Sequence, residues 1–421
     1  MTDELRPLLE AWMPRQRWYS TKNLSPRITA VDLEPLAEGD GVAVARLIAC
    51  DDAPHHPVVY QVPVTVHPRP AAELAEAALI GRVADGWVYD GCADPRHTAW
   101  LLERTAPEVQ LRSSRVLSGE QSNTSIICDV TDGAGRPTTL ITKVFRVLAD
   151  GTNPDIELQE VLSRAGTTRV PRFIGALRGG WARHGTRESG DLAVTQEFIG
   201  GARDAWRVAL DCIRTGDPFD AEALGRATAE VHRLLATELG TRPPDDADRE
   251  AILTQWRARA ATASAAVPDL SPLADRIDTV LRRGAGASWP ALQRVHGDYH
   301  LGQVIHAPGR GWVLLDFEGE PLRPLAERRL PDLAPRDVAG MLRSFDYAAA
   351  SAAAPASSTW AADAREAFLT GYAAEGADPR RHGELLAALE LDKALYEALY
   401  EARNRPDWLW IPLAAITRLL P

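Results

Sequence analysis

Helical periodicity dominates the second half of this chain. Apolar residues recur at intervals of three and four over 221–239, 247–266, 270–283, 360–375 and 383–404, the spacing that gives a helix one apolar stripe. The first half reads differently. A helix over 4–12 is followed by short strand-like runs at 44–48 and 58–62, a helix over 71–83 and a further strand-like piece at 86–91. From Glu108 the order is strand (109–111), polar loop (118–125), strand (126–130), an Asp132-Gly133 turn and a third strand over 138–146. Asn153-Pro154-Asp155 then caps a helix over 156–165. The expected layout is α+β in three parts: a small mixed module (1–105), a β-rich lobe (106–202) and a helical lobe (203–421).

Composition narrows the classes. A chain of 421 residues exceeds one ordinary domain. Its 45% hydrophobic and 25% charged residues are those of a globular protein. A net charge of −11 carries no basic stripe of the kind a nucleic-acid partner demands. No apolar run reaches membrane-span length, and Met1-Thr2-Asp3-Glu4 lacks the basic and apolar regions of a signal peptide. Cys50, Cys92, Cys128 and Cys212 are too scattered for metal-ligand spacing, so reduced thiols in a cytoplasm are expected.

The chemistry concentrates between His296 and Glu320. Asp298 sits in a tight loop, Gln303 follows five residues later, and Asp316 ends the apolar run 312–315. The turn-forming stretch 307–311 lies between them. A fold-back centred between Gly309 and Arg310 would make Gln303 and Asp316 opposed cross-strand neighbours, with side chains on one face. They could then share a hard cation such as Mg²⁺, which takes oxygen ligands and accompanies phosphates. Asp298 is the candidate base for a hydroxyl proton. Glu318 and Glu320 add two acids, one of which could help hold a cation or its waters.

A second group lies upstream. Lys143 is mid-strand, where lysine is depleted, so it points either to solvent or to phosphates. Glu157, early in the next helix, is its expected ion-pair partner, with Glu160 the competitor. The loop containing Ser122 could cover phosphates, though it lacks repeated glycines. Gln196-Glu197-Phe198-Ile199-Gly200 suits a hinge whose backbone meets adenine. For an acceptor the candidates are His300 in the loop, Asp332, Arg336 and Asp337 just after it, and Tyr400, Asn404, Asp407 and Trp410 near the end. An aromatic, acid and amide cluster suits a sugar. Asp332 to Arg343 could equally buttress the loop, and His232 reads as a helix-packing histidine. Trp12, Trp18 and Tyr19 with nearby basic residues read as packing.

Together these residues resemble the aminoglycoside-phosphotransferase-like branch of the protein-kinase-like fold, and within it the actinobacterial maltokinase family. The resemblance rests on residues 14–19, 143–146, 153–157, 296–303, 316–321 and 400–412. It implies an N-terminal cap, an intermediate β-lobe and a helical lobe, with ATP between the lobes. Lys143 would then meet phosphates, Asp298 would be the base, and Gln303 and Asp316 would ligate Mg²⁺. The family includes maltokinases and a group resembling glucosamine kinases. Trp410, where a non-aromatic residue is expected, and the chain's modest length favour a smaller acceptor. An amine would suit Asp332 and Asp407, so glucosamine is expected over maltose. A non-catalytic partner of a sugar-metabolism enzyme is the reading from another class.

Overall fold

A computed structural model describes residues 2–21, 24–54, 57–117, 123–183, 185–320, 323–352 and 357–421. The chain divides into two units. The first comprises Met1–Glu157 and Arg172–Phe198, the second Leu158–Pro171 and Ile199–Pro421.

In the first unit, α1 (Thr2–Trp12) leads into β1 (Ile28–Gly39), β2 (Val42–Asp51), β3 (Val58–His67), β4 (Leu79–Val83) and β5 (Gly86–Asp90). These strands form a sheet in the order β1-β2-β3-β5-β4, all neighbours antiparallel. Then come α2 (Pro95–Thr105), β6 (Gln110–Val116), β7 (Asn123–Thr131), β8 (Pro137–Phe145), β9 (Val147–Leu148), α3 (Pro154–Arg164), β10 (Phe173–Arg183) and β11 (Thr186–Glu197). The second sheet runs β10-β11-β8-β7-β6, while β9 leaves it to pair with β3. The helix expected over 71–83 is instead a 3-10 turn at Glu76–Ala78 followed by β4. Tertiary packing overrides propensity here. A Cβ on Gly81 would lie 2.7 Å from Leu8 Cδ2, so α1 presses on bare strand backbone.

Arg146 ties the two sheets together. It is fully buried, donates to Asp90 at 2.6 Å and Thr124 at 2.8 Å, and its guanidinium lies 4.8 Å from the Trp18 ring centroid. Gln61 of β3 reaches across to the carbonyls of Phe145 and Leu192 at 2.9 and 3.0 Å. Trp12, Trp18 and Tyr19 are buried in the core beneath α1, so the N-terminal aromatic group is packing.

The second unit contains β12 (Arg203–Asp204), α4 (Ala205–Thr215), α5 (Ala221–Leu239), α6 (Asp246–Ala266), α7 (Ala274–Gly286), β13 (Val304–Ala307), β14 (Gly311–Leu314), α8 (Leu325–Arg328), α9 (Ala334–Ala352), α10 (Ser357–Glu375), α11 (Gly383–Asn404) and α12 (Trp410–Leu419). The segment expected as one helix over 270–283 divides into a 3-10 stretch, Pro268–Leu273, and α7, because Pro272 removes a helical donor. Helix α9 was not among the expected helices. It is buried around most of its circumference, Asp337 and Arg343 included. Helices α4 to α7 and α9 to α12 share one apolar core that also holds Tyr299, Leu301, Val304 and Leu314. Among the described residues no helix is long and apolar enough to cross a membrane.

Candidate active site

The loop from His296 to Leu301 is pinned by backbone contacts to α9. Asp337, 1% exposed, accepts from the amides of His296 and Gly297, both at 2.8 Å, and from His232 Nε2 at 2.9 Å. His232 Nδ1 in turn lies 2.7 Å from the Tyr372 hydroxyl. Burial pushes the Asp337 carboxyl up, but His232 and the other donors outweigh it and hold it below the usual carboxylate range. Two glycines make this loop possible. Gly297 takes φ +85°, where a side chain would be strained. Gly340 lets α9 meet the loop, since a Cβ there would stand 2.5 Å from the Tyr299 carbonyl oxygen. The Tyr299 hydroxyl pairs with Thr228 at 2.8 Å, and the Leu301 amide donates to Ser344 at 3.0 Å. Asp298 is thus held on a fixed backbone with its side chain 19% exposed.

Behind Asp298 runs a chain of alternating charges. Lys393 of α11 donates to Asp298 at 3.0 Å and to Glu320 at 3.3 Å. Arg259 of α6 meets Glu320 at 3.4 Å and Asp392 at 3.1 Å. Arg336 of α9 meets Asp392 at 3.6 Å and Asp332 at 2.9 Å, and Arg323 meets Asp332 at 3.2 Å. Burial pushes the Glu320 carboxyl up, yet Lys393, Arg259 and Arg336 together hold it down at about 2. Asp392 goes the other way, raised by burial, because its cations do not fully compensate.

This geometry corrects three expected acceptor contacts. Asp332 and Asp337 are buried, and the Arg336 side chain is 11% exposed. Asp332 also accepts from the Leu333 amide at 2.7 Å. Asp332 and Arg336 belong to the ion chain and Asp337 anchors the loop, so all three side chains are engaged by protein partners. Lys393, Arg259 and Asp392 had been passed over. A legible signal existed in Glu390, Asp392 and Lys393, three charges inside the otherwise apolar stretch 385–395 of α11.

The hairpin register also differs from expectation. Pairs Val304↔Leu314 to Ala307↔Gly311 centre the turn on Gly309, so Gln303 faces Leu315, whose amide donates to the Gln303 carbonyl at 2.9 Å. A one-residue offset in a strand would send Asp316 to the opposite face. Asp316 has instead left the strand with φ +62°, and the Gln303 amide donates to it at 3.1 Å. The pair offers hard oxygen donors, as Glu318 does nearby, which fits Mg²⁺. His300 uses Nδ1 to accept from the Gly302 amide at 3.0 Å, which leaves Nε2 as its donor.

In the first unit, Lys143 lies on β8 between Ser125 of β7 and Val194 of β11. Its ammonium is 3.3 Å from Asp155, a first-turn acid of α3 expected only as part of the helix cap. Glu157 is two residues further along the same helix. Glu197 ends β11 and accepts from the Arg172 amide at 3.0 Å, next to Gln196, and Ile199 opens the second unit. Ser122 lies outside the described residues. Tyr400 and Trp410 are 44% and 57% exposed. Asn404 is also exposed and spends its amide on the Tyr400 carbonyl at 2.8 Å, and Asp407 is exposed beside it.

Residues 12–94 match the maltokinase N-terminal cap domain, and residues 114–385 match the phosphotransferase enzyme family. The chain is 30% identical over 358 residues to a glucosamine kinase of Streptacidiphilus jiangxiensis, covering 77% of each protein. It is 32% identical over 338 residues to a glucosamine kinase of Mycolicibacterium smegmatis, covering 73% of this chain and 80% of that one. A solved glucosamine kinase in complex with glucosamine, ADP and inorganic phosphate superposes with a TM-score of 0.66 at 25% identity, over 100% of both chains.

Proposed function

This chain belongs to the phosphotransferase enzyme family, with a maltokinase-type cap, and we propose that it transfers the γ-phosphate of ATP to glucosamine, giving glucosamine 6-phosphate and ADP. The observation that carries the reading is Asp298: a partly exposed carboxylate on a loop whose backbone Asp337 and Gly340 immobilise.

Asp298 takes the proton of the acceptor hydroxyl as that oxygen bonds to the γ-phosphorus and the bond to the β–γ bridging oxygen breaks. ADP leaves, and the proton passes from Asp298 to water. Lys143, steadied by Asp155, neutralises phosphate charge. Gln303, Asp316 and Glu318 would hold Mg²⁺, which when bound draws charge from the phosphate oxygens. Gln196, Glu197 and Ile199 supply backbone at the expected adenine position. Tyr400, Asn404, Asp407 and Trp410 remain exposed candidates for acceptor contacts, as does the half-buried His300. We place the reaction in the cytoplasm, in keeping with the buried free thiols of Cys50, Cys92 and Cys128.

The match to a maltokinase cap makes maltose the second acceptor to test. Acceptor-dependent ADP release with glucosamine, maltose and glucose decides it. Glucosamine is expected to give the highest kcat/KM. A higher value for maltose overturns the acceptor, and no release with any sugar overturns the kinase reading.

A further inference from the structure

Lys393 neutralises two acids that would otherwise face the acceptor side of the loop together. Its ammonium reaches both Asp298 (3.0 Å) and Glu320 (3.3 Å), with its side chain 18% exposed. It arrives on α11, an element remote in sequence from the loop, and lies 4.9 Å from the Tyr396 ring centroid. The other charges near it are Arg259 beyond Glu320, Glu397 one helical turn on, and the imidazole of His300. Burial acts against the ammonium, and Asp298 and Glu320 outweigh that penalty, so Lys393 stays protonated.

A base that receives a hydroxyl proton gains nothing from a buried ammonium at hydrogen-bond distance, because the cation weakens its pull on the proton. The arrangement makes sense if the acceptor itself is a cation. Glucosamine carries an ammonium at C2 near neutral pH. Without Lys393, Asp298 would draw that ammonium onto the base, where it would displace the hydroxyl. With Lys393 between them and Arg259 on Glu320, both acids have cationic partners, and a second ammonium beside Asp298 is repelled.

We propose that Lys393 is a positioning residue that keeps the amine of an amino-sugar acceptor away from Asp298. The hydroxyl farthest from the amine is then the one presented to the base. On glucosamine this is the 6-hydroxyl, since the 1- and 3-hydroxyls flank C2. The inference rests on the acceptor reading given under the proposed function. A unit charge a few ångströms away in a partly buried site biases the two orientations by about 100-fold.

The test compares glucosamine with glucose, which has a hydroxyl in place of the amine, in the unmodified protein, Lys393→Met and Lys393→Arg. Product position is read by NMR. In Lys393→Met, glucosamine should bind non-productively, so its kcat and KM fall together, kcat by about 10- to 100-fold. Glucose should lose at least tenfold less, by the same charge argument, roughly. A change in the strength of the base acts on both sugars alike and cancels in that ratio. The excess loss should shrink above about pH 8, where a sugar amine loses its proton. Lys393→Arg should restore the ratio. If Lys393→Met does not fold, the double variant Lys393→Met/Glu320→Gln removes one charge of each sign, and a smaller selective loss for glucosamine is expected. Equal, pH-independent losses for both sugars overturn this proposal and leave the acceptor reading intact. Failure of the unmodified protein to phosphorylate glucosamine overturns the acceptor reading, and this proposal with it.

Discussion

Gln303 donates its side-chain amide to Asp316 at 3.1 Å although the two are not cross-strand partners. The left-handed backbone of Asp316 brings the carboxylate back to the Gln303 side after the strand has ended. A cation held by both requires the amide oxygen, so the Gln303 amide must turn by half a revolution when Mg²⁺ binds. Gln303→Leu should raise the Mg²⁺ concentration for half-maximal activity by about tenfold or more, since even supporting partners of metal ligands are worth that much. Asp316→Asn should do more. A Mg²⁺ titration of ADP release checks both, and an unchanged midpoint in both removes them from the metal site.

Asp298→Asn should lower kcat by about 10²- to 10⁴-fold, the usual contribution of a positioned base. Nucleotide affinity should hardly move, because Lys143 and Asp155 lie in the other unit. Calorimetric titration with ADP beside turnover measurements separates the two effects. Near-normal turnover would remove Asp298 from the chemistry.

Gly340→Ala places a methyl 2.5 Å from the Tyr299 carbonyl oxygen, a contact that only backbone movement relieves. The expected cost is about 1–3 kcal/mol in stability. Because the loop that moves carries Asp298, kcat should fall by more than that loss of folded protein explains. Urea unfolding and kcat on the same preparation test this.

Arg146→Met should destabilise the first unit by about 3–5 kcal/mol, because it leaves the Asp90 carboxylate buried without its cation. Thermal unfolding should show the first unit melting earlier. The double variant Arg146→Met/Asp90→Asn should recover much of the loss, and if it does not, the ion pair is not what joins the two sheets.

Acid stability should carry the signature of Glu320. Its carboxyl is held at about 2 in the folded chain against an ordinary value of 4.5. A depressed carboxylate contributes stability that is present above the unfolded value and lost as pH falls through the folded one. The loss therefore belongs between about pH 4.5 and 2 and is on the order of 3 kcal/mol. His97, buried and lowered to about 4, adds a separate decline between its ordinary 6.5 and that value, because the unfolded imidazole binds the proton first. Glu320→Gln should flatten the lower window and leave the upper one alone, as followed by unfolding at fixed denaturant across pH.

Much of this was legible in the linear chain. The bounds of α5, α6 and α11 lie within a residue of those expected from the chain. The strand bearing Lys143 and the loop bearing Asp298 were also visible, because local turn chemistry and strand composition mark them. The 71–83 segment and α9 were not. The first is decided by Leu8 pressing on Gly81, and the second is buried around most of its circumference with Asp337 and Arg343 inside.

The sequence by itself determined which side chains exist to do chemistry and roughly which elements carry them, since spacing, caps and turns are local properties. Only the tertiary structure decided their states. It buried Asp332 and Asp337 as supports, tied Arg336 into the ion chain, gave Lys143 the partner Asp155, and brought Lys393 across from α11 to Asp298. Charges are assigned partners by low-dielectric packing between elements distant in the chain, and no spacing along the chain encodes that proximity.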